Sequence, residues 1–99
     1  MKLYVDDVRP CPAGWTVART PEEAQALLAQ GGVDEVSLDY YIGVGDGGNF
    51  LSVAYYLAQM PLDTRPQRVS LHTSSEFGAS QLRRALGGSG WDVPWVHSC

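Results

Sequence analysis

Three short apolar segments each run straight into polar, chemistry-bearing residues, and this recurrence constrains the fold more than any other feature of the chain. Leu3-Tyr4-Val5 meets Asp6-Asp7, Val36-Ser37-Leu38 meets Asp39, and Val69-Ser70-Leu71 meets His72-Thr73-Ser74. Their length and β-branched content read as strands rather than helices. Trp15-Thr16-Val17-Ala18 reads as a fourth strand. Val93 to Val96 reads as a fifth, placed at an edge because Pro94 cannot donate to a ladder.

Helices fall between these segments. Thr20-Pro21-Glu22-Glu23 is a helix start: Thr20 caps free amides, Pro21 suits the first helical position and Glu23 completes a capping box. Ala24, Leu27 and Leu28 supply the apolar stripe, and Gly31-Gly32 ends it. A second helix carries Phe50, Val53, Ala54 and Leu57 on one face and stops before Pro61. A third begins near Ser75 or Glu76, aligns Ala79, Leu82 and Leu86, and ends at Gly87-Gly88. Strands alternating with helices imply an α/β fold, a small doubly wound, mostly parallel sheet of about five strands covered on both faces. Residues 8 to 14 hold two prolines and a glycine, so a loop is expected where such a fold places its first helix.

The 99 residues are expected to form a single domain, 1–99. A net charge of -4 argues against extended nucleic-acid binding, which needs clustered Lys and Arg. It leaves room for one or two arginines gripping a single phosphate. No segment is long or apolar enough to span a membrane. Met1 to Asp6 meets acidic residues too early for a secretory signal, so a cytoplasmic protein is expected. Cys11 and Cys99 read as free thiols; a zinc site from Cys11, His97 and Cys99 lacks an anchoring C-x-x-C pair.

In an open α/β sheet, ligands bind beyond the carboxyl ends of the strands. Here those ends carry Asp6, Asp7, Asp39, His72, Thr73 and Ser74. Three carboxylates brought together repel one another and favour a hard divalent cation, magnesium or manganese, with oxygen ligands. Aspartates after strands are also common turn and cap residues. His72 has the ordinary pKa for general acid or base work, or else bonds a carbonyl as a strand-end residue. Arg9 can fork onto a phosphate or pair with Asp6 or Asp7. Thr73 and Ser74 can bind phosphate or cap the third helix. The segment Gly43 to Asn49 is not a Walker loop, because it lacks the G-K-[S/T] ending. Its glycines allow close backbone approach before a helix start, or a plain flexible connection.

Asp6-Asp7, Asp39 and Thr73 together resemble a response-regulator receiver domain, of receiver or flavodoxin-like fold. A receiver's lysine after the last strand has no counterpart, since Lys2 is the only lysine. The chain is more similar to the cyclic-phosphate-processing receiver domains. It carries Asp6-Asp7-Val8-Arg9-Pro10, Gly14-Trp15, Arg19-Thr20, Leu38-Asp39-Tyr40-Tyr41-Ile42-Gly43, Gly47-Gly48-Asn49-Phe50 and His72-Thr73, in the order of that family's motifs. Tyr40 and Tyr41 stand where the family has His and Asp, and Thr73 where it has Ser. The resemblance implies a metal-dependent phosphoesterase acting on a cyclic phosphate of an RNA end or nucleotide. Asp6, Asp7 and Asp39 would hold the cation, Asp39 and His72 would be the catalytic pair, and Arg9 with Thr73 would hold the phosphate. The alternative is a catalytically degenerate binding module for a protein or nucleotide. An ordinary phosphoacceptor domain would need His97 in the place of the missing lysine.

Overall fold

The computed structural model describes residues 1–42 and 48–95. Residues 43–47 of the glycine-rich segment, and Val96, His97 and Cys99 of the tail, lie outside the described residues. The element order is β1 (Lys2–Val5), β2 (Trp15–Ala18), α1 (Pro21–Gln30), β3 (Glu35–Leu38), α2 (Leu51–Gln59), β4 (Arg68–Leu71) and α3 (Glu76–Leu86). The strands form one sheet in the order β2-β1-β3-β4, with every pair parallel.

Two expectations change. Among the described residues the sheet has four strands rather than five. Among the described residues, Val93 to Trp95 contribute a single parallel bridge, Leu71 to Trp95, with the Leu71 amide donating to the Pro94 carbonyl at 2.9 Å. Pro94 has no N–H to extend the ladder, and Val93 takes a positive φ of 45°, which turns the chain away from an extended course. The second change follows from the loop between β1 and β2. Because no helix forms there, the three helices pack side by side, α1 on α2 and α2 on α3. Right-handed crossovers from β2 to β3 and from β3 to β4 place α1 and α2 on one face of the sheet, and α3 packs against α2.

Side chains alternate across that sheet. Leu3, Val5, Val36, Leu38, Val69 and Leu71 are all buried and form one core with Leu28, Phe50, Val53, Leu57 and Leu82 from the helices. Tyr4, Ser37 and Ser70 share a register row on the opposite face.

The helix starts follow local chemistry. The Thr20 hydroxyl accepts from the Glu23 amide at 3.1 Å. The Glu23 carboxylate returns to the Arg19 amide at 3.0 Å, one residue earlier than in a standard capping box. Ser75, rather than Thr73 or Ser74, caps α3, accepting from the Gly78 amide at 3.0 Å.

Gly78 is where α3 approaches the chain just after β3. A Cβ there would lie 2.7 Å from Cβ and Cγ of Tyr40. Gly78→Ala is therefore expected to lower the urea midpoint. Overpacking costs about 1–3 kcal/mol, against a helix-propensity gain of roughly 1 kcal/mol. An unchanged or higher midpoint would show that the Tyr40 ring yields freely.

Candidate functional site

The sheet register builds the site. Val5 pairs with Ala18 and with Leu38, and Leu38 pairs with Leu71, so four strands end in one row. The ladder continues one residue further. The Asp6 amide donates to Ala18 at 3.1 Å, that of Asp39 to Val5 at 2.9 Å, and that of His72 to Leu38 at 2.9 Å. Asp6, Asp39 and His72 are thus neighbours by construction, and by alternation they share the face that carries Tyr4 and Ser37. One ligand atom from each lies within 4.8 Å of the others, and all three residues are buried, at 0%, 9% and 3% exposure.

Asp6 is the hub. Its Oδ1 accepts from the amides of Val8 at 3.0 Å and Arg9 at 2.9 Å. Its Oδ2 lies 2.9 Å from His72 Nε2 and 3.7 Å from Arg9 Nε. Burial works to raise this carboxyl, but the Arg9 and Val8 amides and His72 together hold it below the ordinary carboxylate value. Asp39 goes the other way. Its own burial and the Asp6 charge raise it, and neither the Tyr40 amide, at 2.7 Å from its Oδ1, nor the Thr73 hydroxyl offsets them. The two carboxylates of the strand-end row thus differ because burial dominates at Asp39 while hydrogen bonds dominate at Asp6.

His72 is enclosed. Its Nδ1 lies 2.7 Å from Ser37 Oγ, and Tyr4 stacks on its ring at a centroid distance of 4.4 Å and an interplanar angle of 7°. Burial lowers its pKa despite the nearby Asp6. Arg9 Nη1 donates to the His72 carbonyl at 2.7 Å, which turns this guanidinium inward onto the strand ends. Thr73 is buried against Asp39, and its Oγ1 accepts from the Ser75 amide at 3.3 Å.

Of the residues expected from sequence, the fold brings Asp6, Asp39 and His72 into one group, with Arg9 and Thr73 at its margins. Asp7 is half-buried and stands outside that close group. Tyr40 leaves the site and enters the core, while Tyr41 is exposed. Three participants were not anticipated. Tyr4 and Ser37 carry a signal in hindsight, because they sit two residues before Asp6 and Asp39 and share their face. Arg19 carried a weaker one, its place in the Arg-Thr motif. Its Nη1 donates to the carbonyls of Asp6 at 3.2 Å and Arg9 at 2.6 Å, clipping both ends of the turn that Asp6 Oδ1 holds from within. A cavity of about 450 Å³ runs along the outer edge of β4, but Glu35, Arg68 and Trp91 line it and none of the strand-end carboxylates does.

The His72 shift has a sign that can be tested. The unfolded chain binds this proton more readily than the fold, so the stabilising contribution is complete above pH 6.5 and is lost as pH falls below it. Asp39, raised from 3.8, contributes oppositely: its ionisation in the fold lowers stability as pH rises above that value. In an Asp39→Asn background, where that opposing contribution is gone, the urea midpoint is expected to fall between pH 7 and pH 5. A flat profile would mean that His72 takes its proton as easily folded as unfolded.

The comparisons with known proteins agree with this geometry. The family model described as "Cyclic-phosphate processing Receiver domain" matches residues 1–88. No curated protein and no solved structure matches. A parallel sheet, an aspartate row at its carboxyl edge and a match over nearly the whole chain lead to one conclusion: the chain belongs to the cyclic-phosphate processing receiver domain family.

Proposed function

We propose that the chain is a metal-dependent phosphoesterase of the cytoplasm that opens a cyclic phosphate on an RNA end or a nucleotide. The observation that carries this reading is the buried group of Asp6, Asp39 and His72 at the strand ends of a chain of this family. The donor set suits a divalent cation. Burial first, and then the Asp6 charge, raises Asp39, and a bound cation would offset both. Asp6 and Asp39 would hold the ion, with Asp7 joining from the adjacent turn. Such an ion, magnesium or manganese, polarises a phosphoryl oxygen and offsets the negative charge of the phosphate.

The remaining roles fall to the chain's own groups. Arg9, anchored through the His72 carbonyl, and Thr73, beside Asp39, would orient the phosphate. His72 would be the acid–base residue of the set, exchanging a proton through its Nε2 contact with Asp6. None of the helices in the described residues is long and apolar enough to cross a membrane.

A second reading, a binding module, draws on Tyr40. It stands where the family has His and is packed in the core, while Tyr41 beside it and Phe77 on α3 present exposed rings at 50% and 59%. Turnover separates the two. The purified chain is expected to open a nucleoside cyclic phosphate in the presence of magnesium or manganese, followed by phosphorus NMR, and Asp39→Asn is expected to abolish it. An intact cyclic phosphate with wild-type protein and either metal would sink the phosphoesterase and favour the binding module.

A further inference from the structure

Ser37 lies in the middle of β3, a position with no evident chemistry, yet its hydroxyl is 2.7 Å from His72 Nδ1. The other nitrogen of the same ring is 2.9 Å from Asp6 Oδ2. Ser37, His72 and Asp6 therefore form one buried chain across β3, the end of β4 and the end of β1, with the Tyr4 ring lying flat against the imidazole.

The direction of this chain follows from donor and acceptor capacity. An ionised carboxylate only accepts, so the contact at Asp6 requires the proton on His72 Nε2. In a neutral ring Nδ1 then has only a lone pair, and Ser37 must donate to it. Hydroxyl to imidazole to carboxylate, each donor points toward Asp6. Asp6 Oδ1 is already engaged by two amides. Held from one side by His72 and from the other by the turn, the carboxylate has its plane determined and keeps a lone pair of Oδ2 for an ion.

We infer that Ser37 is a positioning residue of the site, which holds His72 as the Nε2–H tautomer and through it orients the Asp6 carboxylate toward a divalent cation. Groups that brace a metal ligand in this way change metal affinity by about 10–100-fold when lost. The cation clause rests on the proposed function; the direction of the chain does not.

The experiment has two parts. Nitrogen-15 NMR of the metal-free protein reads the His72 tautomer, and Nε2 is expected to be protonated with Nδ1 bare. Manganese titration then compares wild type with Ser37→Ala, Ser37→Thr and Ser70→Ala. Ser37→Ala is expected to weaken binding about tenfold or more, Ser37→Thr to restore most of it by returning a hydroxyl, and Ser70→Ala, on the same face in the next strand, to change nothing. A proton on Nδ1 with Nε2 bare in the wild type would overturn the inference, since His72 would then turn a lone pair toward Asp6. Manganese affinity equal in wild type and Ser37→Ala would overturn it as well. If wild type shows the Nε2–H tautomer but binds no manganese, the metal-dependent reading and the cation clause fail together, while the directed chain stands.

Discussion

Asp39→Asn is expected to do two opposite things: abolish metal binding and turnover, and make the metal-free protein more stable. Isothermal titration with manganese should show affinity reduced at least 100-fold, because the variant keeps the shape of the side chain but loses its charge. Thermal unfolding without metal should show the gain. In the fold the Asp39 carboxyl is raised above 3.8, first by its own burial and then by the Asp6 charge, so at neutral pH its ionisation works against folding. The amide oxygen of an asparagine can still accept from the Tyr40 amide, now at 2.7 Å from Oδ1. Relief of about 1 kcal/mol corresponds to roughly 4–8 °C in a domain of this size. The expected signature is a higher melting temperature that no longer responds to metal. A variant that melts lower than wild type without metal would show that Asp39 stabilises the fold rather than straining it.

Asp6→Ala is expected to be the most damaging single change in the site, costing about 3–5 kcal/mol. One carboxylate, fully buried, accepts from the Val8 and Arg9 amides and contacts His72 Nε2, with the Arg9 guanidinium 3.7 Å away. Truncation leaves these donors facing a void, and the turn that leads to Arg9 loses its inner anchor while Arg19 still pulls on its carbonyls. Asp6→Asn keeps an oxygen for the two amides and should lose much less. The pair is read by urea unfolding, and the difference between the two substitutions is the check. If both lose the same amount, the charge rather than the hydrogen-bond geometry holds the turn.

Several elements were legible in the residues alone because their causes are local. Thr20, Pro21 and Glu23 start α1, and Gly31 follows its last residue, as capping chemistry requires. The alternation of Leu3 and Val5, Val36 and Leu38, and Val69 and Leu71 marks the buried face of each strand. Asp6, Asp39 and His72 stood out for the same reason: each directly follows an apolar strand, and strand ends are where parallel sheets bind ligands.

What escaped the sequence depends on register and on contacts between distant segments. Tyr4 and Ser37 look like strand filler until β1, β3 and β4 align and bring them against His72. Tyr40 could be read as a site residue beside Asp39, but the gap at Gly78 takes its ring into the core. The expected fifth strand had the apolar content of a strand, yet among the described residues Pro94 and the backbone turn at Val93 leave it one bridge to Leu71. Periodicity and capping act over a few neighbouring residues, so the sequence by itself determined the elements and the row of polar residues at their ends. Which of those residues touch, which face the helices leave bare, and that Ser37 on β3 meets Asp6 just after β1 through His72 just after β4 were decided only by tertiary packing, because the bonds responsible join residues 35 and 66 positions apart.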